Sequence, residues 1–372
     1  MWLVALMVFL LAADARAGAA EKTTAGAIPI VAETMAAGLD HPWGMDFLPD
    51  GAVVITERAG AMRLLDNGVV SPPLAGVPPV FAEGQGGLLD VAVAPDFAVS
   101  RRIAFTFAEA GDGGAGTALA RATLDRKAGR LDDVEVIFRV ARKSRGGVHF
   151  GSRIVFAPDG TLFVTLGERG DRYRAQDFSD HAGGVIRLNP DGSIPPGNPF
   201  ADGSNGRPEL WSKGHRNPQG AAWDPVTKAL LTVEHGAQGG DEVNRPEAGK
   251  NYGWPVITYG KDYSGATIGE GTHKPGYEQP LWHWDPSIAP SGLAVYDGPM
   301  FPEWRGDLLV GALKFRLLSR LDRDAAGRIV GEERAFADQF GRIRNVDVAP
   351  DGSIWLLTDE DDGRAIRLSR GR

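Results

Sequence analysis

One histidine, His149, stands among glycines in RGGVHFGSR (residues 145–153), and a glutamate, Glu168, follows in GERG (167–170). An imidazole, with its ordinary pKa near about 6.5, takes a proton at neutral pH, and a carboxylate on one ring nitrogen fixes the tautomer that leaves the other free to accept. The two residue types therefore suggest a general base and its orienting group. The plainer alternatives are a hydrogen-bonded structural histidine and a surface ion pair of Glu168 with Arg169 or Arg172. Gln85 in EGQGG (83–87) and Arg216 with Asn217 in GHRNPQG (214–220) sit in similar glycine settings. The stretch EHGAQGGDEVN (234–244), followed by NYGWP (251–255), combines hard oxygen ligands with a flexible backbone, as calcium requires. It lacks EF-hand spacing, and a solvated acidic turn is its alternative. Three cations come late: Lys314, Arg342 and Arg344. Arginines two apart on a strand point the same way and can grip a polycarboxylate from one side, unless they merely decorate an exposed face.

The elements that must position these residues are short strands. Among 372 residues there are 50 glycines and 25 prolines, and helical periodicity is scarce, which favours an all-β chain. The histidine stretch runs directly into IVFAPDG (154–160), an apolar strand and a Pro-Asp turn, and that unit recurs. Copies begin near residues 41, 88, 154, 219, 293 and 345, each followed by a second apolar strand and usually a third. A repeat that cannot bury its faces without neighbours, at a spacing of roughly 45 to 75 residues, predicts a six-bladed β-propeller with four-stranded antiparallel blades. A short strand at 28–33 has no hairpin partner in the pattern and is expected to close the last blade. The competing architecture is a large β-sandwich. In a propeller, insertions between strands gather at the mouth of the central channel, where Gln85, His149, Glu168 and Arg216 would meet.

Composition narrows the class. The formal net charge is -8 without a basic run, which argues against a nucleic-acid partner. There is no cysteine, hence no disulfide, no thiolate metal site and no Cys-x-x-Cys-His heme attachment, so any redox chemistry needs a separate electron acceptor. Residues 1–20, MWLVALMVFLLAADARAGAA, read as a secretory signal ending in a small-x-small site at 15–17. The positive residue that usually precedes such a core is missing, and an uncleaved anchor is the alternative. The expectation is a single propeller over 21–372, periplasmic or secreted, without stable membrane insertion after cleavage.

The chain resembles the pyrroloquinoline quinone (PQQ)-dependent aldose sugar dehydrogenases, six-bladed relatives of the soluble PQQ glucose dehydrogenases. The resemblance rests on PWGM (42–45), GQGGL (84–88), HFGSR (149–153), GHRNPQ (214–219), DEVN (241–244), NYGWP (251–255), SIAPSG (287–292), LK (313–314) and RIR (342–344), in the family's order. It implies an enzyme that oxidises the anomeric hydroxyl of an aldose to a lactone, with His149 as base, Glu168 orienting it, and hydride passing to the quinone. Arg216 would make the quinone electrophilic, together with calcium. It further implies that Arg216, Asn217, Gln85, Ser287, Lys314, Arg342 and Arg344 contact PQQ. The carbonyls of Gly236 and Ala237 would hold the calcium beside it, with Glu242 and Tyr252 on a second, structural calcium. The partners implied are an aldose and a quinone or cytochrome acceptor, the protein being a monomer or homodimer. Two departures stand out. Val148 replaces the aspartate that glucose enzymes carry before the histidine, which removes a sugar contact. Ala237 replaces a proline, which leaves its carbonyl available. A calcium-dependent lactonase and a non-catalytic binding propeller are the competing readings.

Overall fold

Apolar strands that each end in a tight turn fold back beside themselves, and in the computed structural model, which describes residues 20–371, they form six antiparallel sheets. Blade 1 holds Pro42–Phe47, Val53–Glu57, Ala61–Asp66 and Val69–Val70; blade 2 holds Leu88–Val93, Arg102–Gly111, Gly114–Asp125 and Arg130–Arg139. Blade 3 is Ile154–Phe156, Leu162–Thr165, Gly184–Leu188 and Leu210–Lys213, and blade 4 is Pro218–Asp224, Ala229–Glu234, Asp241–Asn244 and Trp282–Trp284. Blade 5 is Pro290–Val295, Leu308–Ala312, Leu317–Arg323 and Ile329–Ala335. Blade 6 contains Ile343–Val348, Ile354–Thr358 and Gly363–Arg370. The first strand of each blade packs on the first strand of the next, and that of blade 6 on that of blade 1, so the ring is closed. This is the six-bladed propeller that the repeat predicts.

The N-terminal strand differs from its expected form. It runs from Ile28 to Leu39, pairs along Gly363–Arg370 from Ile30↔Arg370 to Leu39↔Gly363, and has a hairpin partner of its own, Glu21–Ala25. Blade 6 is therefore five-stranded. Gly26, at φ +54°, makes the two-residue turn between the paired strands, a conformation that costs glycine least. The leader expected over 1–20 lies, but for Ala20, outside the described residues. Among the described residues no helix is long and apolar enough to cross a membrane.

The blades are held by two devices. The larger is apolar: Val54, Leu64, Phe105 and Phe107 bury against one another across blades 1 and 2. At about 1.5–3 kcal/mol for each fully buried side chain, such seams carry most of the stability, and no blade has them alone. The smaller is a hydroxyl latch. Thr56 donates to Leu89 O, Thr106 to Ser152 O at 2.8 Å, Thr165 to Pro218 O at 2.8 Å, and Ser291 to Ile343 O at 2.6 Å. Each latch ties one blade to the first strand of the next, or to the residues that lead into it.

Candidate functional site

In five of the six blades the second strand hands the chain to a polar residue at or just past its end, and these residues ring the same mouth. They are Arg58, Glu168, His235, Lys314 and Asp359. Segments entering the first strands add Gln85, His149, Arg216, Asn217 and Arg342. A cavity of about 340 Å³ opens there, and its lining includes Arg58, Lys314, Arg316, Arg342 and Arg344 against one carboxylate, Asp359.

His149 stands beside this cavity with its side chain 13% exposed, its Nδ1 3.0 Å from Oε2 of Glu168. That contact is at ion-pair distance but does not reach the alignment of a finished hydrogen bond. Glu168 is buried and also accepts the Gly170 N–H. Burial pushes the His149 imidazole below its ordinary value, Glu168 pulls it up, and the positive charges of Arg216 and Arg169 push it down again. The net direction is down. Burial pushes the Glu168 carboxyl up, but His149, Arg216 and the Gly170 N–H outweigh it and hold it below the usual range. A neutral imidazole next to an ionised carboxylate results. The surface-pair alternative for Glu168 does not describe this geometry: Arg172 pairs with Asp262 at 2.8 Å, and Arg169 turns to backbone carbonyls.

The loop carrying the imidazole is fixed by close backbone approach. His149 itself has φ +54°, and its N–H donates to Gln85 Oε1 at 2.8 Å. Gly151 N–H donates to Asn217 Oδ1 at 3.1 Å, and Phe150 O accepts from Thr117 at 2.8 Å. Gly167 must be glycine here, because a Cβ would sit 2.1 Å from His149 O. Gln85 and Asn217 thus both support the histidine loop directly.

Arg216 is buried, its Nε without a partner and its guanidinium 5.3 Å from the Trp254 ring centre. Its backbone is committed: the N–H donates to Glu234 Oε2 at 2.6 Å and the carbonyl accepts Glu168 N–H at 2.9 Å. His235, half-buried, has its imidazole driven down to about 3 by desolvation and by Arg216 and Arg344. Arg344 is buried between Gln219 at 2.7 Å and Asp359 at 2.6 Å, while Arg342, just ahead of its strand, reaches Asp359 at 3.4 Å. Lys314 is exposed at the rim. The expected pair of arginines does line one side of the cavity, although a register shift separates Ile343 from Asn345.

The oxygen-rich stretch folds as a tight loop. Gly236 N–H donates to Asp241 Oδ1 at 2.8 Å, and Ser287 receives Gly239 N–H at 3.0 Å and approaches Ala237 O at 3.5 Å. Ser287 therefore props this loop and does not line the cation-rich cavity. A smaller void lies alongside, lined by Gly236, Glu242, Tyr252, Glu234 and Arg216. Burial and the neighbouring Glu234 and Asp241 push the Glu242 carboxyl up to about 8, and no cationic side chain pairs with it among the described residues. The Tyr252 phenol is engaged, donating to Arg245 O and accepting Glu247 N–H. Glu234 also anchors His215, whose other nitrogen is 2.9 Å from Ser212. That Ser-His-Glu chain is sealed in the core and admits no substrate.

Sequence reasoning passed over Arg58, Arg316, His235 and Asp359. The signal available was position: each lies near the end of a blade's second strand, as Glu168 does.

The closed propeller thus sets a histidine–carboxylate pair beside a cavity whose lining suits an anion. The family model for glucose/sorbosone dehydrogenases matches residues 39–367, and the chain belongs to that family. It is 45% identical over 338 residues to the aldose sugar dehydrogenase YliI of Escherichia coli, covering 89% of this chain and 90% of the relative. The crystal structure of the soluble aldose sugar dehydrogenase from Escherichia coli in its apo-form superposes with a TM-score of 0.89 at 44% identity, over 92% of this chain and 100% of that one. The PQQ-bound form of the aldose sugar dehydrogenase from Streptomyces coelicolor superposes with a TM-score of 0.74 at 29% identity, over 90% and 96%.

Proposed function

We propose that this protein is a PQQ- and calcium-dependent dehydrogenase that oxidises the anomeric hydroxyl of aldoses to lactones. The observation that carries the reading is the neutral His149 imidazole, paired with Glu168, next to a cavity lined by five cationic side chains and one carboxylate. An anionic, polycarboxylate cofactor suits that lining, and the free Nε of buried Arg216 leaves a donor for it. When bound, PQQ supplies the two-electron acceptor that the chain's own side chains lack.

In this reading the anomeric hydroxyl gives its proton to Nε2 of His149, while Glu168 holds Nδ1 and balances the imidazolium that forms. Arg216 with Asn217, and Lys314, Arg342 and Arg344, would hold the cofactor, with Gln85 beside cofactor and sugar. The carbonyls of Gly236 and Ala237 offer the hard oxygens calcium takes, with Ser287 bracing their loop. Glu242 and Tyr252 would hold a second, structural calcium, which fits a half-buried carboxyl that has no cationic partner among the described residues. The domain is residues 21–372, exported by a leader at 1–20, and electrons pass to a separate acceptor. The lactonase reading has less support, because no group of three His, Asp or Glu side chains able to hold a metal occurs among the described residues.

The test is dye-linked oxidation of an aldose panel with PQQ and calcium added together or withheld, alongside His149→Gln. Turnover only with both additions, lost in the variant that still binds PQQ, is the expected result. Failure to bind PQQ overturns the reading.

A further inference from the structure

The peptide group between Val148 and His149 is gripped at both ends. Its N–H donates to Gln85 Oε1 at 2.8 Å, and its carbonyl, Val148 O, accepts from Nη1 of Arg169. The same guanidinium donates to Gly146 O at 2.8 Å and lies 3.4 Å from the centre of the Phe150 ring, so it spans the loop on either side of the histidine. Arg169 is 5% exposed and has no carboxylate partner among the described residues. Burying a guanidinium on backbone carbonyls alone is costly. What it secures is a histidine at φ +54°, a conformation that a side chain with a Cβ adopts at a cost unless its surroundings over-determine it.

We propose that Arg169 is a positioning residue for the base: with Gln85 it locks the Val148–His149 peptide plane, and so sets the direction in which the imidazole faces the sugar. The Glu168–Arg169 dipeptide then controls the histidine twice, the carboxylate at the ring and the guanidinium at the main chain. This rests on the dehydrogenase reading above for its catalytic consequence, but the locking itself does not.

The experiment uses the full chain with Arg169→Gln and Arg169→Lys. Without cofactor, amide hydrogen exchange at His149 and a histidine NMR titration read the lock and the ring. With PQQ and calcium, kcat, KM and PQQ affinity are read. Arg169→Gln is expected to speed His149 amide exchange at least about tenfold, which is the loss of about 1.4 kcal/mol of local protection. It should also move the imidazole midpoint up, because a nearby positive charge is gone, and lower kcat by about 10–100-fold with PQQ affinity little changed. Arg169→Lys keeps the charge but not the fork, so exchange and kcat should change while the midpoint stays. Unchanged exchange at His149 in both variants overturns the proposal, as does wild-type kcat in both. Altered exchange in a protein whose wild type oxidises no aldose leaves the lock standing and removes the dehydrogenase reading. Should Arg169→Gln not fold, Arg169→Lys alone decides through exchange and kcat.

Discussion

Arg344 and Asp359 are joined by a buried 2.6 Å ion pair, and Arg342 reaches the same carboxylate oxygen at 3.4 Å. Burial pushes the Asp359 carboxyl up, but Arg344 and Arg342 override it and hold it far below the usual aspartate range. One carboxylate therefore serves as counter-ion for the arginines of a cavity that otherwise carries only positive charge.

Removing that counter-ion separates stability from binding. Asp359→Asn leaves Arg344 buried without its partner and is expected to cost about 3–5 kcal/mol in denaturant unfolding. Added PQQ should recover part of the loss by mass action. Arg344→Met should instead weaken PQQ binding by about 10–150-fold, as for loss of a charged hydrogen bond. Equal PQQ affinity in wild type and Arg344→Met would contradict the cofactor assignment.

The pH profile follows from His149. Burial, the largest influence, holds its imidazole below 6.5, so the acid limb of kcat/KM should fall below pH 6.5. Glu168→Gln removes a charge that raises the imidazole, so that limb should move lower still, with kcat reduced by about 10²–10⁴-fold. A limb that rises in the variant would refute the pairing.

Glu242 bears on the structural cation. Chelation with EGTA should lower the Tm of the wild type, and calcium should restore it. In Glu242→Gln the melting temperature should respond weakly to either addition. A wild type indifferent to chelation would remove calcium from the void beside Tyr252.

The N-terminal hairpin can be trimmed in two steps. Deleting 21–26 removes only the outermost strand and should leave a folded ring with a modest loss of Tm. Deleting 21–39 also removes Ile30, Ala32, Ala36 and Leu39 from the core, and cooperative unfolding should vanish. Thermal melts by circular dichroism distinguish the two.

What the sequence made legible was whatever repeats. Strands such as Val53–Glu57 and Ile354–Thr358 are buried along their whole length and end in recognisable turns, so six units could be counted. The outer strands could not be placed the same way. Ile329–Ala335 is mostly half-exposed and polar, and Trp282–Trp284 pairs with Asp241–Asn244 across a long insertion, so neither carries a periodic signal. In the site, His149 and Glu168 were readable because glycines mark close backbone approach. Asp359 and Arg169 were not: a single charge in a polar run says nothing of its partner, and both act through contacts distant in sequence. Gln85 and Asn217 were identified, but their hold on the histidine loop is a matter of geometry alone.

The strand that completes blade 6 comes from near the beginning of the chain and its partner from near the end, Ile30 lying opposite Arg370. During synthesis, blades 1 to 5 can take shape while blade 6 waits for its partner. Until then blades 1 and 5 each present an unsealed face. Closure of the ring thus waits until the chain has been made through Gly363–Arg370, and until then those two faces are the aggregation-exposed surfaces.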